Sequence, residues 1–397
     1  MKLQSDPLHK KNSRDTLSRP VNIVILGGGF GGLAAANELR ENLPQDVRIT
    51  IIDKKDYFMM DLVKLWIING TREFESSKRS LEEITKKGIE FVNEDVMKID
   101  PVNKVIRTKY RQFHYNFLII SLGVELAAEK IPGLKENGLV LYDTNDVPKI
   151  RDAIRQFKSG KIVLAITALP YKCPPAPFEA ALLIRSVLEE TGASDSVKID
   201  FYSPTPITLP AGGPKVSEDI LQVLKSKNIE FHGSNKVVSV EPNKLKFENG
   251  ETDFDILIAV PPHKVPGVIV ESGFAEEGKF IEVNKTCKTK YDDVFAIGDV
   301  NQMMVTDKIA VPKAGIFAEA QGIAVAQNII GIIKNELQYL SFDGKGGCFL
   351  ETGKKTAGYL SVDMFATPDP LTELKPSSTE YFSEKEKFEQ DRLKKWL

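Results

Sequence analysis

The strongest constraint on this chain lies near its start, in Val21-Asn22-Ile23-Val24-Ile25-Leu26-Gly27-Gly28-Gly29-Phe30-Gly31-Gly32-Leu33. The apolar, mostly β-branched run predicts a strand buried on both faces. It leads into G-x-G-x-x-G at Gly27, Gly29 and Gly32 and then into the helical pattern Leu33-Ala34-Ala35-Ala36-Asn37-Glu38-Leu39. Gly27 permits a tight turn, Gly29 lets a pyrophosphate approach the backbone, and Gly32 lets the helix pack against the strand. Free N–H groups at the helix start, with the positive end of its dipole, hold the phosphates. A glycine-rich turn by itself needs no ligand. Here a second strand, Arg48-Ile49-Thr50-Ile51-Ile52, follows and ends at Asp53, about twenty residues past the third glycine, where an acceptor for ribose hydroxyls belongs. The complete order predicts dinucleotide binding, and an acid rather than an arginine at that place favours FAD or NAD over NADP.

Composition narrows the class. A length of 397 residues suits two or three domains, and 42% apolar with 27% charged residues is the balance of a soluble globular chain. A net charge of −2 supplies no electrostatic reason to bind nucleic acid. Residues 1–20 are polar, without the apolar core of an export signal, and are expected to form a flexible extension. The most apolar window, residues 323–333, is interrupted by Gln327 and Asn328, so no membrane-spanning helix is expected. Three cysteines make no disulfide framework. With no export signal the expected compartment is the reducing cytoplasm, where a cysteine pair is more often catalytic than structural. His9, His114, His232 and His263 are scattered without metal-ligand spacing, and no metal is expected.

After Asp53, residues 54–60 read as a loop and the stretch to about residue 87 as helical. Residues 89–100 read as a strand and turn, 104–108 and 113–115 as a hairpin, and 117–123 as a buried strand ending on Gly123. Ile131-Pro132-Gly133 marks a crossing between domains. Strands at 161–166, 198–202 and 230–231 then alternate with helices at 178–190 and 216–226, followed by a hairpin near Asn249-Gly250 and a strand at 254–259. Alternation of this kind predicts a parallel, doubly wound sheet. The chain returns through Val294-Phe295-Ala296-Ile297-Gly298-Asp299, a long helix from Lys313 to about residue 333, strands after Phe342 and a charged helix over 384–397. The expected fold class is α/β, with two Rossmann-like dinucleotide-binding domains plus a small C-terminal segment. Residues 21–125 and 287–341 make the first domain, 126–286 the second, and 342–397 the C-terminal segment.

The second domain is informative for what it lacks. Its first strand is followed by Thr167-Ala168-Leu169-Pro170-Tyr171-Lys172-Cys173-Pro174-Pro175-Ala176-Pro177-Phe178-Glu179, with no glycine from Lys161 to Glu190. The four prolines carry no N–H, so the segment has few backbone donors for a pyrophosphate. A nicotinamide nucleotide is therefore not the expected electron donor. Cys173 sits in this loop, and Cys348 sits in the glycine-rich stretch Gly344-Lys345-Gly346-Gly347-Cys348-Phe349-Leu350-Glu351-Thr352-Gly353.

Here the chain resembles a family. Cys-Pro-Pro-Ala-Pro-x-Glu, Ala-Val-Pro-Pro-His (residues 259–263), Pro-Lys-Ala-Gly-x-x-Ala-Glu-x-Gln (312–321) and Gly-x-Cys-x-x-Glu-x-Gly are similar to sulfide:quinone oxidoreductase and the flavoprotein subunit of flavocytochrome c sulfide dehydrogenase. These share the two-domain architecture of flavoprotein disulfide reductases, and the resemblance runs from about Val21 to the C-terminus. It implies FAD as cofactor, held by Gly27, Gly29, Phe30, Gly32, Asp53, Lys54, Val96, Gly123, Gly298, Asp299 and Lys313. In the family the aspartate matching Asp299 meets the flavin ribityl chain, and the helix after Lys313 points at the flavin. The usual Ala-Thr-Gly at the first crossing is Ser121-Leu122-Gly123 here. The resemblance further implies that Cys173 and Cys348 are a redox-active pair, that Glu179 handles protons, and that Phe349 lines a quinone pocket; Phe382 is expected near the same quinone. Where some members carry a third cysteine this chain has Ala127 and Ala128, and Cys287 is a bystander.

The activity implied is oxidation of hydrosulfide and reduction of a membrane quinone by a protein peripheral on the cytoplasmic face of the membrane. Homo-oligomers are compatible with it. Alternatives are a flavocytochrome-type subunit, which should carry an export signal, a type II NADH:quinone reductase, disfavoured by the missing glycine loop, and a catalytically silent flavin scaffold. Phe382, Phe388, Leu393, Trp396 and Leu397 share half the circumference of the last helix, near Arg392, Lys394 and Lys395. The pattern suits an interfacial helix with Trp396 at the headgroup level, or equally a helix docked on the protein's own body.

Overall fold

The computed structural model describes residues 20–336 and 339–397. All but Pro20 of the expected N-terminal extension lies outside the described residues. Two parallel five-stranded sheets form the body. In the first, Asn22–Leu26 lies at the centre between Phe117–Ile120 and Arg48–Asp53, with Val294–Ala296 and Glu90–Asn93 at the edges. Ile25 faces both Ile51 and Ile119 in register, and the apolar runs are buried on both sides because helices and an antiparallel layer cover the two faces. The second sheet has the order Leu139–Val140, Ile256–Val260, Gly160–Ile166, Val197–Tyr202, Ile229–His232. This is the doubly wound α/β class expected from the alternating pattern.

The Gly315–Lys334 helix packs on the Phe30–Asn42 helix at close range: a Cβ on Gly322 would sit 2.5 Å from the carbonyl oxygen of Gly31. It is the one helix among the described residues long and apolar enough to cross a membrane, yet most of it is packed inside the protein. Buried Asn328 exchanges hydrogen bonds of 2.8 and 2.6 Å with the backbone of Leu340. The helix starts two residues after Lys313, not at it.

The C-terminal segment is an antiparallel sheet of Lys345–Gly353, Thr356–Asp363 and Leu371–Ser378, followed by the Thr379–Trp396 helix. That helix begins earlier than its charge pattern indicates, because Ser378 caps it by accepting the Tyr381 N–H. The stretch to residue 87 also departs from expectation. Only Val63–Ile68 is α-helix; Gly70 at φ +80° stops it, two 3-10 turns follow, and Arg79–Ser80 pairs with Tyr57–Phe58 in the expected loop.

Candidate active site

The cofactor cradle is built at the carboxyl end of the central strand. Gly27 has φ +99°, and a Cβ there would lie 2.4 Å from the Ser121 carbonyl oxygen; a Cβ on Gly32 would lie 2.0 Å from that of Gly27. A Cβ on Gly29 meets nothing within 4 Å, so the middle glycine faces open space while the outer two are packing positions. The Ser121 hydroxyl donates to the carbonyls of Leu26 and Gly27, both at 2.9 Å, tying the first crossing to the glycine turn. Asp53 accepts the Gly28 N–H at 2.7 Å and the Lys55 N–H at 2.8 Å.

A second anchor faces the first. The Gly298 N–H donates to Gln321 Oε1 at 2.8 Å, and the same oxygen accepts from Asn301 at 2.9 Å. Lys313 is buried, donating to the carbonyls of Asp299 and Asn301 at 2.6 and 2.9 Å with its ammonium 3.5 Å from the centre of the Phe280 ring. Burial lowers Lys313 to about 8 against the pull of Asp299, and burial raises the Asp299 carboxyl against Lys172 and Lys313. Between the anchors runs a cavity of about 300 Å³. Its walls include Gly28, Gly29, Phe30, Asp53, Gly298, Asp299 and Lys313, together with Cys173 and Cys348. The open face at Gly29 and the acid at the end of the second strand fit a dinucleotide, with the thiols in the same cavity.

Cys173 sits at φ +49° in the proline-rich loop before the Ala176–Glu190 helix, and its N–H donates to the Lys313 carbonyl at 2.6 Å. The Tyr142 hydroxyl donates to the carbonyls of Lys172 and Cys173 at 2.8 and 3.3 Å, fixing the loop from the domain crossing. Cys348 comes from the other direction, on the Lys345–Gly353 strand opposite Leu360. Both are free, half-buried thiols. Burial, with the Cys348 and Glu179 charges adding to it, holds Cys173 well above the usual thiol range; burial and Glu179 push Cys348 up to about 12. Cys287 is fully buried away from the cavity.

Glu179 belongs to a charged cluster that links three elements. Lys385, on the C-terminal helix, hydrogen-bonds Glu179 and reaches Glu351 at 2.7 Å; Glu351 also accepts the Trp66 indole N–H at 2.8 Å. All three charged side chains are nearly inaccessible to solvent. Burial pushes Glu179 up to about 7, with Lys385 pulling it down and Glu351 adding to the rise. Both Glu179 and Lys385 line the cavity. On another wall, Asp61 pairs with Lys64 at 2.7 Å and Lys172 at 2.6 Å. Burial alone would raise Asp61, but the two ammonium groups outweigh it and hold it well below the usual carboxylate range. His263 donates its Nδ1–H to the Pro261 carbonyl at 2.9 Å, and burial lowers it to about 4.

Other expected residues fall elsewhere. Gly27 and Gly32 stand behind the cavity wall as packing positions, and Gly123 is not on the wall. Lys54 pairs with Glu125 at the surface, and Val96 is packed in an apolar cluster. Phe349 lines the cavity, whereas Phe382 does not; Phe388 does, with its ring 6.1 Å from Phe349 and 6.3 Å from Phe30. Trp396 is not at a headgroup level. It is 1% exposed, edge-on to Phe30 at 5.3 Å and Phe58 at 5.9 Å, so this end of the helix docks on the protein's own body. The helix phase puts Trp396 and Phe388 on one arc, and that arc faces the first domain.

Two Rossmann-like sheets, a glycine cradle with its acid, and thiols in the cradle's cavity define a flavin-dependent oxidoreductase. The chain belongs to the pyridine nucleotide-disulphide oxidoreductase family, whose model matches residues 21–164 and 196–327. The match leaves out residues 165–195, the segment that carries Cys173 and Glu179. The chain is 26% identical over 370 residues to the mitochondrial sulfide:quinone oxidoreductase of Mus musculus, covering 89% of this chain and 80% of that one. The solved sulfide:quinone oxidoreductase of Aquifex aeolicus superposes with a TM-score of 0.85 at 25% identity, over 93% of this chain and 90% of the other. A type II NADH:quinone oxidoreductase of Staphylococcus saprophyticus is 23% identical, covering 80% of this chain and 85% of that one. The protein is an oxidoreductase, and its cofactor is FAD.

Proposed function

We propose that this protein oxidises hydrosulfide through Cys173 and Cys348 and delivers the electrons to a membrane quinone. The observation that carries the reading is the shared cavity: Cys173, Cys348 and Glu179 line the same space as Gly29 and Asp299, and the segment bearing Cys173 replaces the glycine turn a nicotinamide nucleotide would need. Bound FAD supplies a two-electron acceptor for the sulfur chemistry and a two-electron donor to quinone. Gly28, Gly29, Phe30 and Asp53 hold one end of it, and Gly298, Asp299 and Lys313 the other.

The protein's part begins from the oxidised pair. Hydrosulfide attacks one sulfur of a Cys173–Cys348 disulfide, so one S–S bond forms, the protein's own breaks, and one cysteine leaves as a thiolate. The persulfide gives its proton to Glu179, whose affinity for a proton near neutrality suits it to act as base and then as acid. Two-electron oxidation of the persulfide–thiolate pair inserts the sulfur as Cys–S–S–S–Cys. A second hydrosulfide removes it as HSS⁻ and restores the disulfide. Glu179 is hydrogen-bonded to Lys385, an ammonium on the helix that carries Phe388, so Lys385 gives a proton toward the quinone side as Glu179 returns one to it.

The quinone approaches along the groove lined by Ile316, Ala320, Ile323, Phe349 and Phe388, which opens beside the cavity. Its apolar walls suit a lipophilic ring, and the charges at its margin are mixed, with Glu319, Glu384 and Asp391 beside Lys345, Lys387 and Arg392. We place the protein peripherally on the cytoplasmic face of the membrane. Anaerobic addition of sulfide should bleach the flavin absorbance, and a soluble quinone should restore it. Cys173→Ser and Cys348→Ser should each slow the sulfide-driven bleaching at least about tenfold, a barrier change of roughly 1.4 kcal/mol. Wild-type rates in both variants would overturn the assignment.

A further inference from the structure

A second site lies on the other sheet, remote from the cavity. In register across the two last strands, Asp200 pairs with Glu230 and Tyr202 with His232. Period-two alternation puts Lys198, Asp200, Glu230 and His232 on one face. His232 Nε2 lies 3.6 Å from Asp200 Oδ1 and 3.8 Å from Glu230 Oε1, and one ligand atom from each of the three residues falls within 4.8 Å of the others. Asp200 is 1% exposed, yet its Oδ1 accepts no hydrogen bond, and the buried Nε2 of His232 likewise has no partner. The His232 ring is held in place by stacking on Tyr202 at 4.5 Å, which stacks in turn on Phe247 at 4.7 Å.

The remaining charges explain how such a site stands ready. Lys161 pairs with the other oxygen, Asp200 Oδ2, at 2.8 Å and donates to Thr252 at 2.6 Å. Lys198 Nζ stands 3.3 Å from Asp200 Oδ1 and 3.0 Å from Glu230 Oε2, without a hydrogen bond to the former. Its side chain is 56% exposed, so it can swing into solvent. Two atoms bound at about 2.0–2.1 Å to a tetrahedral zinc lie roughly 3.4 Å apart, close to the spacings found here. One imidazole nitrogen with two carboxylates is an N/O set suited to a borderline divalent cation.

We propose that Asp200, Glu230 and His232 form a binding site for Zn²⁺ or a similar divalent transition ion, for which the Lys198 ammonium is a placeholder. Water completes the coordination from the exposed side, and the bound ion clamps the edge strand Ile229–His232 to its neighbour. No step of the proposed sulfide chemistry depends on it. The test is Zn²⁺ titration of the FAD-loaded full chain against a chromophoric chelator, with thermal unfolding as a second readout.

Zn²⁺ should bind the wild type and raise its melting temperature. His232→Ala should weaken that binding at least tenfold, and Lys198→Ala should tighten it several-fold by removing the competing cation. Asp200→Asn should act as His232→Ala does; should it fail to fold, the other two variants at exposed or half-buried positions still decide the matter. Zinc bound at the thiols would be retained in all of them. Equal zinc affinity in wild type and His232→Ala, or weaker binding in Lys198→Ala, overturns the site.

Discussion

Lys385 Nζ lies 2.7 Å from Oε2 of Glu351, an oxygen that also accepts the indole N–H of Trp66 at 2.8 Å. With Glu179 on its other side, one ammonium is shared between two buried carboxylates. The cluster carries one negative charge when all three groups are ionised, and burial raises Glu179 to about 7 against the pull of Lys385, with Glu351 adding to the rise.

The pH dependence has a definite sign. Glu179 has an ordinary value of 4.5 and a folded value of about 7. Between these, the unfolded chain has released the proton that the folded chain keeps, so stability falls as pH rises through the window. Glu179→Gln should remove this slope in denaturant unfolding measured across it. A slope that persists unchanged would assign it to another group.

Removing the cation should be more damaging than neutralising the acid. Lys385→Met leaves two buried carboxylates unpaired, an expected loss of about 3–5 kcal/mol. The loss should be smaller below pH about 7, where Glu179 can hold its proton. Chemical denaturation on either side of that pH checks it.

Cys287 gives the control for the cysteine chemistry. Its thiol is fully buried and off the cavity. Cys287→Ser should leave sulfide-driven flavin reduction unchanged while costing about 1–3 kcal/mol of stability for a buried hydroxyl. A rate loss matching that of Cys173→Ser would make Cys287 part of the electron path.

NADH and NADPH should reduce the flavin slowly. The loop after Gly160–Ile166 lacks the glycine turn, and the Cys173 N–H is already given to the Lys313 carbonyl. Stopped-flow mixing with NADH under anaerobic conditions decides it; reduction as fast as with sulfide would place the chain functionally beside the type II NADH:quinone oxidoreductases.

Trp396→Ala should cost about 3–5 kcal/mol, because the ring is buried against Phe30 and Phe58. Since Phe30 also lines the cavity, the variant should release FAD more readily on dilution. Unchanged FAD retention and unchanged melting temperature would mean the contact carries neither load.

The parts legible in the sequence were those written contiguously. Gly27 to Gly32 with Asp53, and Gly298-Asp299, each announce a turn at a strand end whose geometry local chemistry dictates. The proline-rich loop was legible for the same reason, since a missing N–H needs no partner to be noticed. What stayed hidden depends on elements meeting. Trp66, Glu351 and Lys385 are brought together from three separate elements, and no spacing links them. Phe388 and Phe382 share an apolar arc, so only docking of the helix distinguishes which ring reaches the cavity. The helix to residue 87 was over-read because Gly70 breaks it while the apolar pattern continues. His232 looked solitary because its companion Asp200 lies on the adjacent strand, although Glu230, two residues before it, was a local sign of a shared face.

The docking of Trp396 on Phe30 has a consequence for how the molecule is made. The glycine turn emerges from the ribosome among the earliest parts of the fold, but its neighbour Phe30, set early against Phe58, gains Phe388 and Trp396 only from a helix that follows hundreds of residues later. Until the Thr379–Trp396 helix has been synthesised, the nascent cradle lacks Lys385 and Phe388 from its wall. Complete enclosure of the cofactor therefore comes at the end of translation, so the nascent chain carries an unfinished, solvent-open cradle through most of its synthesis.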